Sequence, residues 1–216
     1  MGLMIERKWA MPSKDTYTIK PIKELLKRWV DIDYDWIDPF CGLNSPANYK
    51  NDLNPNIPNA THMDAIDFLK SIPTDSGYKG VLYDPPYSVR QVMECYKGYG
   101  MNVTQETTQA KWYRLLKDEI TRISPEIVIS FGWNTGGIGK TNGYEPIEIL
   151  LVPHGGIHND TICTVERKIE ILEEWGVDPV RYFLLREIPT GDDGDFSKER
   201  FAVVYKDELQ NTIGNL

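Results

Sequence analysis

The chain has 216 residues, of which 41% are hydrophobic and 26% charged, a composition typical of a folded protein rather than a disordered or fibrous one. No stretch approaches the roughly 20 apolar residues that a membrane-spanning helix needs, and the N-terminal residues lack the pattern of a secretory signal. Cys41, Cys95 and Cys163 are far apart and support neither a disulfide framework nor a zinc cluster. These features predict a cytoplasmic protein without a metal site.

The charge is unevenly distributed along the chain, whose formal net charge of −8 argues against a strongly basic nucleic-acid-binding protein. Residues 169–216 hold 11 acidic and 5 basic side chains, which gives them a net charge of −6. Residues 1–168 therefore carry a net charge of −2 and can still present a local basic surface. This asymmetry predicts a domain over residues 1–168 and a distinct extension over residues 169–216.

The hydrophobic pattern predicts alternating helices and strands after an irregular arm over residues 1–16. The predicted elements are, in chain order, an amphipathic helix over 19–30, a strand over 34–38, a helix over 63–69, a strand over 79–83, helices over 89–97 and 106–123, and a strand over 127–131. Two further β-rich runs, 147–152 and 161–165, follow. This order predicts an α/β fold with a Rossmann-like, mostly parallel sheet, an antiparallel edge hairpin and a helical C-terminal appendage.

The strongest candidate for a functional site is Tyr83-Asp84-Pro85-Pro86-Tyr87, directly after a buried strand. Two consecutive prolines remove two backbone donors and fix two φ angles at about −65°, so this segment should be rigid and its carbonyl oxygens free to bind a ligand. A carboxylate and an aromatic ring beside those carbonyls suit a flat base that carries an exocyclic amine. Open α/β sheets bind ligands at the carboxyl ends of their strands. The alternative is a surface turn, because Asp-Pro pairs commonly open turns.

Asp84-Pro85-Pro86-Tyr87 resembles the catalytic motif of the methyltransferases that use S-adenosylmethionine to methylate the N6 amine of adenine in DNA. Other segments resemble elements of this family in the same order. Residues 16–22 resemble the segment before the first strand, residues 38–42 the cofactor loop after it, residues 51–55 the end of the second strand, and residues 62–65 the third element. The resemblance covers about residues 1–168 and implies a Rossmann-like methyltransferase sheet.

The resemblance implies a role for each matching residue. The Asp84 carboxylate and the Pro85 carbonyl would accept the two hydrogens of the adenine amine, Pro86 would complete the rigid segment, and Tyr87 would stack on the base. Because a stacked base cannot reach such a pocket, it would have to leave the duplex, so the implied substrate is double-stranded DNA. The residues implied to bind S-adenosylmethionine are Tyr17, Thr18, Ile19, Lys20, Asp38, Pro39, Phe40, Gly42, Asp52 (on the ribose hydroxyls) and Asp64 (on the adenine).

The sequence departs from the family pattern in two places. Only residues 43–50 separate Gly42 from Asn51, where the fold usually has a whole helix, so cofactor binding is expected to be weak or rebuilt from the N-terminal arm. A large target-recognition domain is missing, and the best candidate for contacting DNA is residues 88–111, which a surface helical hairpin explains nearly as well. Two alternatives stay open: an inactive methyltransferase-like module that binds nucleic acid or protein, and the same chemistry on RNA or on cytosine N4.

The C-terminal extension has a second resemblance. Residues 175–189, 191–197 and 211–216 resemble methionyl-tRNA synthetase, in the part that joins its catalytic domain to its anticodon-binding helices. Neither ATP-handling signature motif of that enzyme is present, so the resemblance does not imply aminoacylation. The extension is expected to be a fusion remnant, a helical support, or a contact surface for protein or tRNA. Its negative charge makes nucleic acid the least favoured of these.

Overall fold

The computed structural model describes residues 2–31, 33–74, 77–104, 110–169, 175–187 and 197–213. The chain forms two compact units, Met1–Lys168 and Ile169–Leu216. Four predicted features lie partly outside the described residues: the start of the helix expected over 106–123, residues 188–189 and 191–196 of the synthetase-like extension, and the end of the chain at 214–216.

A seven-stranded sheet in the order β1-β6-β7-β5-β4-β2-β3 forms the centre of the first unit. The strands are β1 (Met4–Arg7), β2 (Trp36–Asp38), β3 (Tyr49–Lys50), β4 (Gly80–Tyr83), β5 (Ile127–Gly132), β6 (Tyr144–Val152) and β7 (Thr161–Lys168). Neighbouring strands are parallel except that β7 runs antiparallel to both β5 and β6. The predicted α/β fold with a mostly parallel sheet and an antiparallel hairpin is confirmed.

Four helices accompany these strands in the described part of the first unit: α1 (Lys20–Trp29), α2 (Ala65–Ser71), α3 (Val89–Gly98) and α4 (Ala110–Ile123). Successive residues of a strand point to opposite faces of the sheet, and both faces are buried. Val81 belongs to a hydrophobic core with residues of α2, α3 and α4, whereas its neighbour Leu82 belongs to a core with residues of α1. Helices therefore cover the sheet on both sides, as expected for a largely parallel sheet.

The prediction of an irregular arm was wrong for residues 4–7, which form β1. This strand pairs in parallel with β6, so it takes the outer position next to the predicted edge hairpin. Beyond it, the Ala10 N–H donates to the Pro153 carbonyl at 3.2 Å, and a ring nitrogen of buried His154 lies 2.9 Å from the Ala10 carbonyl. The arm is held by pairing with a distant strand, which its own short pattern does not reveal.

The contact between Gly80 and Trp36 provides a test of the sheet's packing. The two residues are paired across β2 and β4, and Trp36 is fully buried. A Cβ atom added to Gly80 would lie 2.3 Å from the Trp36 ring. We expect Gly80→Ala to lower the free energy of unfolding by about 1–3 kcal/mol, measured by urea denaturation. Gly98→Ala, whose added Cβ meets nothing within 4 Å, is the control, and equal midpoints for the two variants would contradict this packing.

The described part of the second unit is helical, as predicted. It contains α5 (Val177–Glu187), α6 (Lys198–Val204) and a π-helical segment (Tyr205–Ile213). Phe183 and Phe201 are buried, with their ring centroids 5.2 Å apart, and Trp175 packs against Phe201. These aromatic contacts form a small core of the unit's own. Across the described residues of the whole chain, none of the helices has the length and apolar character needed to cross a membrane.

Candidate active site at the carboxyl ends of strands β2, β3 and β4

A cavity of about 500 Å³ lies where β2, β3 and β4 end. Its volume falls within the range of roughly 300–1,000 Å³ that is usual for small-molecule pockets. Its walls come from the N-terminal arm, the segments that follow the three strands, and helices α3 and α4. The predicted site residues that line it are Pro39, Phe40, Asp52, Asp84, Pro85, Pro86 and Tyr87. The parallel arrangement brings these together because the carboxyl ends of parallel strands meet at one edge of the sheet.

The mostly buried Asp84 carboxylate stands directly after β4, at the wall of the cavity. Burial raises its pKa from 3.8 to about 6, although hydrogen bonds from Tyr87 and Thr16 partly oppose this rise. The Tyr87 hydroxyl donates to Asp84 Oδ1 at 2.6 Å. Burial and the neighbouring carboxylate raise the pKa of Tyr87 well above its ordinary value, so this phenol stays protonated as a donor.

The two proline carbonyls differ in their surroundings. The Pro86 carbonyl accepts a hydrogen bond from the Tyr113 hydroxyl at 2.8 Å, so the prediction of a free carbonyl was wrong at this position. Within the described part of the chain, by contrast, no donor bonds to the Pro85 carbonyl. The segment thus holds one carboxylate at the cavity wall and, at the next residue of the chain, one carbonyl to which no described donor bonds. Both groups accept hydrogen bonds, which suits a ligand that carries a pair of hydrogens on one nitrogen.

Asp38 does not line the cavity but holds the loop that does. Its carboxylate is fully buried and accepts hydrogen bonds from the Tyr17 hydroxyl at 2.7 Å, the Ser45 hydroxyl at 2.6 Å and the Phe40 N–H at 2.9 Å. Burial raises the pKa of Asp38 to about 7, a rise that these three hydrogen bonds oppose. Asp38 therefore ties the segment 16–22 to the loop after β2.

The loop after β2 lacks the helix that the resembled methyltransferase fold usually has at this position. Residues 39–48 contain turns but no helix, and Gly42 adopts a φ of +52°, a conformation that favours glycine. The Gly42 N–H donates to Asp52 Oδ2 at 3.0 Å, and Asp52 Oδ1 accepts from the Asn54 N–H at 2.8 Å. A carboxylate offers about four lone-pair positions. Two of them on Asp52 are therefore left for a ligand at the cavity wall.

The remaining predicted cofactor residues lie outside the cavity. Asp64 caps α2 by accepting from the Ile66 N–H at 2.8 Å, and its second oxygen accepts from the Tyr96 hydroxyl. Four predicted cofactor residues of the segment 16–22 do not line the cavity, namely Tyr17, Thr18, Ile19 and Lys20. Direct contact of these five residues, Gly42 and Asp38 with a cofactor stays a prediction.

Several cavity residues were missed by sequence reasoning. Ser13 and Lys14 of the arm line the cavity, together with Thr16, the first residue of the predicted segment 16–22. Tyr96 of α3 and Trp112 of α4 also line it, and the Trp112 indole donates to the Tyr96 hydroxyl at 3.1 Å. The helical spacing of these aromatic residues predicts only that they face inward. It does not distinguish a packed core from a cavity wall.

The burial of Asp84 predicts how the free energy of unfolding changes with pH. Its pKa of about 6 lies above the ordinary 3.8, so stability contributed by its neutral form is lost as the pH rises through about 6. Asp84→Asn keeps the shape and removes the charge. We expect it to raise the free energy of unfolding by about 1–3 kcal/mol near pH 8 and by little near pH 4, measured by urea denaturation. A gain of the same size at both pH values would contradict the prediction; exposed Asp35→Asn is the control.

Comparisons with known proteins bear on the end of the chain and on its fold. Residues 161–216 match the family described as tRNA synthetases class I (M). The chain is 51% identical over 47 residues to a chloroplastic/mitochondrial methionine–tRNA ligase of Arabidopsis thaliana, covering 22% of this chain and 8% of that protein. It is 52% identical over 77 residues to the methionine–tRNA ligase of Rickettsia bellii, covering 33% of this chain and 15% of that protein. The synthetase resemblance is confirmed, and it begins at the start of β7.

Two solved structures are similar in fold. The putative methyltransferase yhhF from Escherichia coli has a TM-score of 0.36 and 15% identity, covering 74% of this chain and 92% of that one. The tRNA (uracil-54, C5)-methyltransferase of Pyrococcus abyssi, solved with S-adenosyl-L-homocysteine, has a TM-score of 0.37 and 12% identity, covering 68% of this chain and 37% of that one. The chain spans less than a sixth of the synthetases it matches.

Proposed function

We propose that the chain transfers a methyl group from S-adenosylmethionine to the N6 amine of adenine in DNA. The observation that carries this proposal is the pair of acceptors at the cavity wall, the Asp84 carboxylate and the unoccupied Pro85 carbonyl. An exocyclic amine has two hydrogens, and adjacent acceptors on a rigid segment match both of them. Among the described residues, Pro85 and Pro86 are the only two consecutive prolines, and they come shortly after a buried strand.

The residues around the large cavity fit S-adenosylmethionine. The two remaining lone-pair positions of Asp52 suit the two hydroxyls of a ribose, and the rings of Phe40 and Trp112, 6.0 Å apart, provide an apolar wall for a flat ring system. The acidic Asp84 stands at the same cavity, where it favours a positively charged ligand. Bound there, S-adenosylmethionine would supply an activated methyl group.

The chain's part in the reaction is positioning and electrostatic stabilisation. The adenine amine is a poor nucleophile because its lone pair is delocalised into the ring. By accepting its two hydrogens, Asp84 and Pro85 favour a more tetrahedral nitrogen with an available lone pair. The rigid prolines fix these acceptors in advance, so little ordering is needed at the moment of reaction. Asp84 has to be ionised to accept, and it can take up the proton that the amine releases.

The direct test is transfer of labelled methyl groups by the full chain. The protein is incubated with labelled S-adenosylmethionine and duplex DNA, single-stranded DNA or tRNA, and the products are digested to nucleosides. The proposal expects label in N6-methyldeoxyadenosine. Label in N4-methyldeoxycytidine or in an RNA nucleoside would replace the proposed substrate with one of the two alternatives. Absence of any transfer, together with no heat on titration with S-adenosylmethionine, would favour a binding module without turnover.

A further inference from the structure

A second cavity of about 150 Å³ lies against the Pro85–Tyr87 segment. Its other walls come from Tyr83 of β4, Tyr113 of α4 and the end of β5, including Trp133. Pro85 and Tyr87 line both this small cavity and the large one. The proposed amine-binding segment, residues 84–87, therefore borders two cavities. The proposed cofactor would occupy only the large one.

The small cavity has a buried polar group without a protein partner. Tyr83 is only 4% exposed, and among the described residues nothing accepts a hydrogen bond from its hydroxyl. Leaving a buried hydroxyl unpaired costs about 1–3 kcal/mol. A ligand in this cavity that offers an acceptor, such as a ring nitrogen of a nucleobase, would remove that cost.

Two aromatic rings that contact each other line the small cavity. The rings of Tyr87 and Trp133 meet edge to face, with centroids 5.6 Å apart. Trp133 is 43% exposed although it is large and apolar, and it follows directly after β5. Stacking between a base and an aromatic side chain contributes about 1–3 kcal/mol and tolerates any base. The exposed indole is thus suited to hold a flat ligand against the segment.

The small cavity is too small for a purine, so a side chain at its wall would have to move to admit one. A cavity of about 150 Å³ is known to hold a benzene-sized ring, whereas a purine has a second fused ring. Tyr87 is held by its hydrogen bond to Asp84 and by its contact with Trp133. Rotation of Tyr87 away from both would enlarge the small cavity and would free Asp84 Oδ1 to accept from an amine.

We infer that the small cavity is the pocket for the acceptor nucleobase, with Trp133 stacking on the base, the Tyr83 hydroxyl donating to a ring nitrogen, and Tyr87 leaving Asp84 as the base enters. This inference rests on the proposed function and assigns its acceptor site. It makes Tyr83 and Trp133 binding residues for the base. Neither residue lines the large cavity, so neither should affect cofactor affinity.

The test uses a duplex oligonucleotide that contains 2-aminopurine opposite an abasic site, because an unpaired base is the least costly to extrude. Fluorescence of 2-aminopurine reports its stacking, and titration gives its affinity for the full chain. We expect Trp133→Ala to weaken binding by about 5- to 150-fold and Tyr83→Phe by about 2- to 10-fold. Trp133→Phe should restore part of the loss. Trp9→Ala, which removes an indole 62% exposed on the arm, is the matched control and should leave binding unchanged.

Calorimetric titration with S-adenosylmethionine and methyl transfer to DNA are measured on the same variants. Wild-type affinity for the oligonucleotide in both Trp133→Ala and Tyr83→Phe would overturn the inference, as would loss of cofactor binding in either variant. If the wild-type chain transfers methyl groups but does not bind the labelled duplex, the inference fails and the proposed function stands. If it binds the duplex through Trp133 but transfers nothing, the pocket stands and the proposed function fails. If it does neither, both fail.

Discussion

Asp84→Ala is expected to reduce methyl transfer by about 10²–10⁴-fold while leaving affinity for S-adenosylmethionine little changed. In the proposed mechanism the Asp84 carboxylate, which lines the large cavity, is one of the two acceptors for the substrate amine. Removing it leaves the Pro85 carbonyl alone to orient the nitrogen. The cofactor's sugar would still be held by Asp52, which stands after a different strand. Single-turnover transfer of labelled methyl groups and calorimetric cofactor titration measure the two effects separately.

The matched control for this variant is Asp35→Ala. Asp35 precedes β2, so it lies at the opposite end of the strand from the cavity, and its side chain is exposed. Transfer by this variant should equal that of the wild type. In the wild type, the rate should rise with pH around a pKa of about 6, because Asp84 accepts hydrogens only when ionised. Undiminished transfer by Asp84→Ala would remove this residue from the proposed chemistry.

The sequence predicts those parts of the site that depend on local chemistry. Asp84 and Pro85 could be found because two prolines after a buried strand impose a rigid conformation whatever the rest of the fold does. Asp52 is instead implied by the family resemblance, because the hydrophobic pattern predicts no strand over residues 49–50. The structure places Asp52 after β3, at the edge of the sheet where the parallel strands β2 and β4 also end.

Other features depend on contacts between residues far apart in the chain. β1 forms because β6 offers it an edge, which residues 4–7 do not signal by themselves. Tyr96 and Trp112 face inward at helical spacing, but only their packing decides whether they fill a core or line a cavity. The hydrogen bonds that the Asp38 carboxylate accepts from Tyr17 and Ser45 likewise join residues that the sequence pattern does not pair, and contact of Asp38 with a cofactor stays a prediction. Such distinctions lie in tertiary geometry and cannot be read from periodicity.

The second large effect is expected at Asp52. Its carboxylate orders the shortened loop through the Gly42 N–H and has two lone-pair positions left at the cavity wall. A hydrogen bond to a charged acceptor contributes about 1.5–3 kcal/mol, so Asp52→Ala should raise the dissociation constant for S-adenosylmethionine by about 10- to 150-fold.

Saturating cofactor should restore most of the transfer rate to Asp52→Ala, since Asp84 and Pro85 are unaffected. This separates it from Asp84→Ala, whose rate should stay low at any cofactor concentration. Asp67→Ala removes an exposed carboxylate from α2 and should change neither quantity. Calorimetry on the three variants decides the matter: unchanged affinity in Asp52→Ala would mean that the large cavity does not hold the cofactor's ribose at this wall. A rate that stays low in saturating cofactor would instead place Asp52 with the groups that order the amine-binding segment.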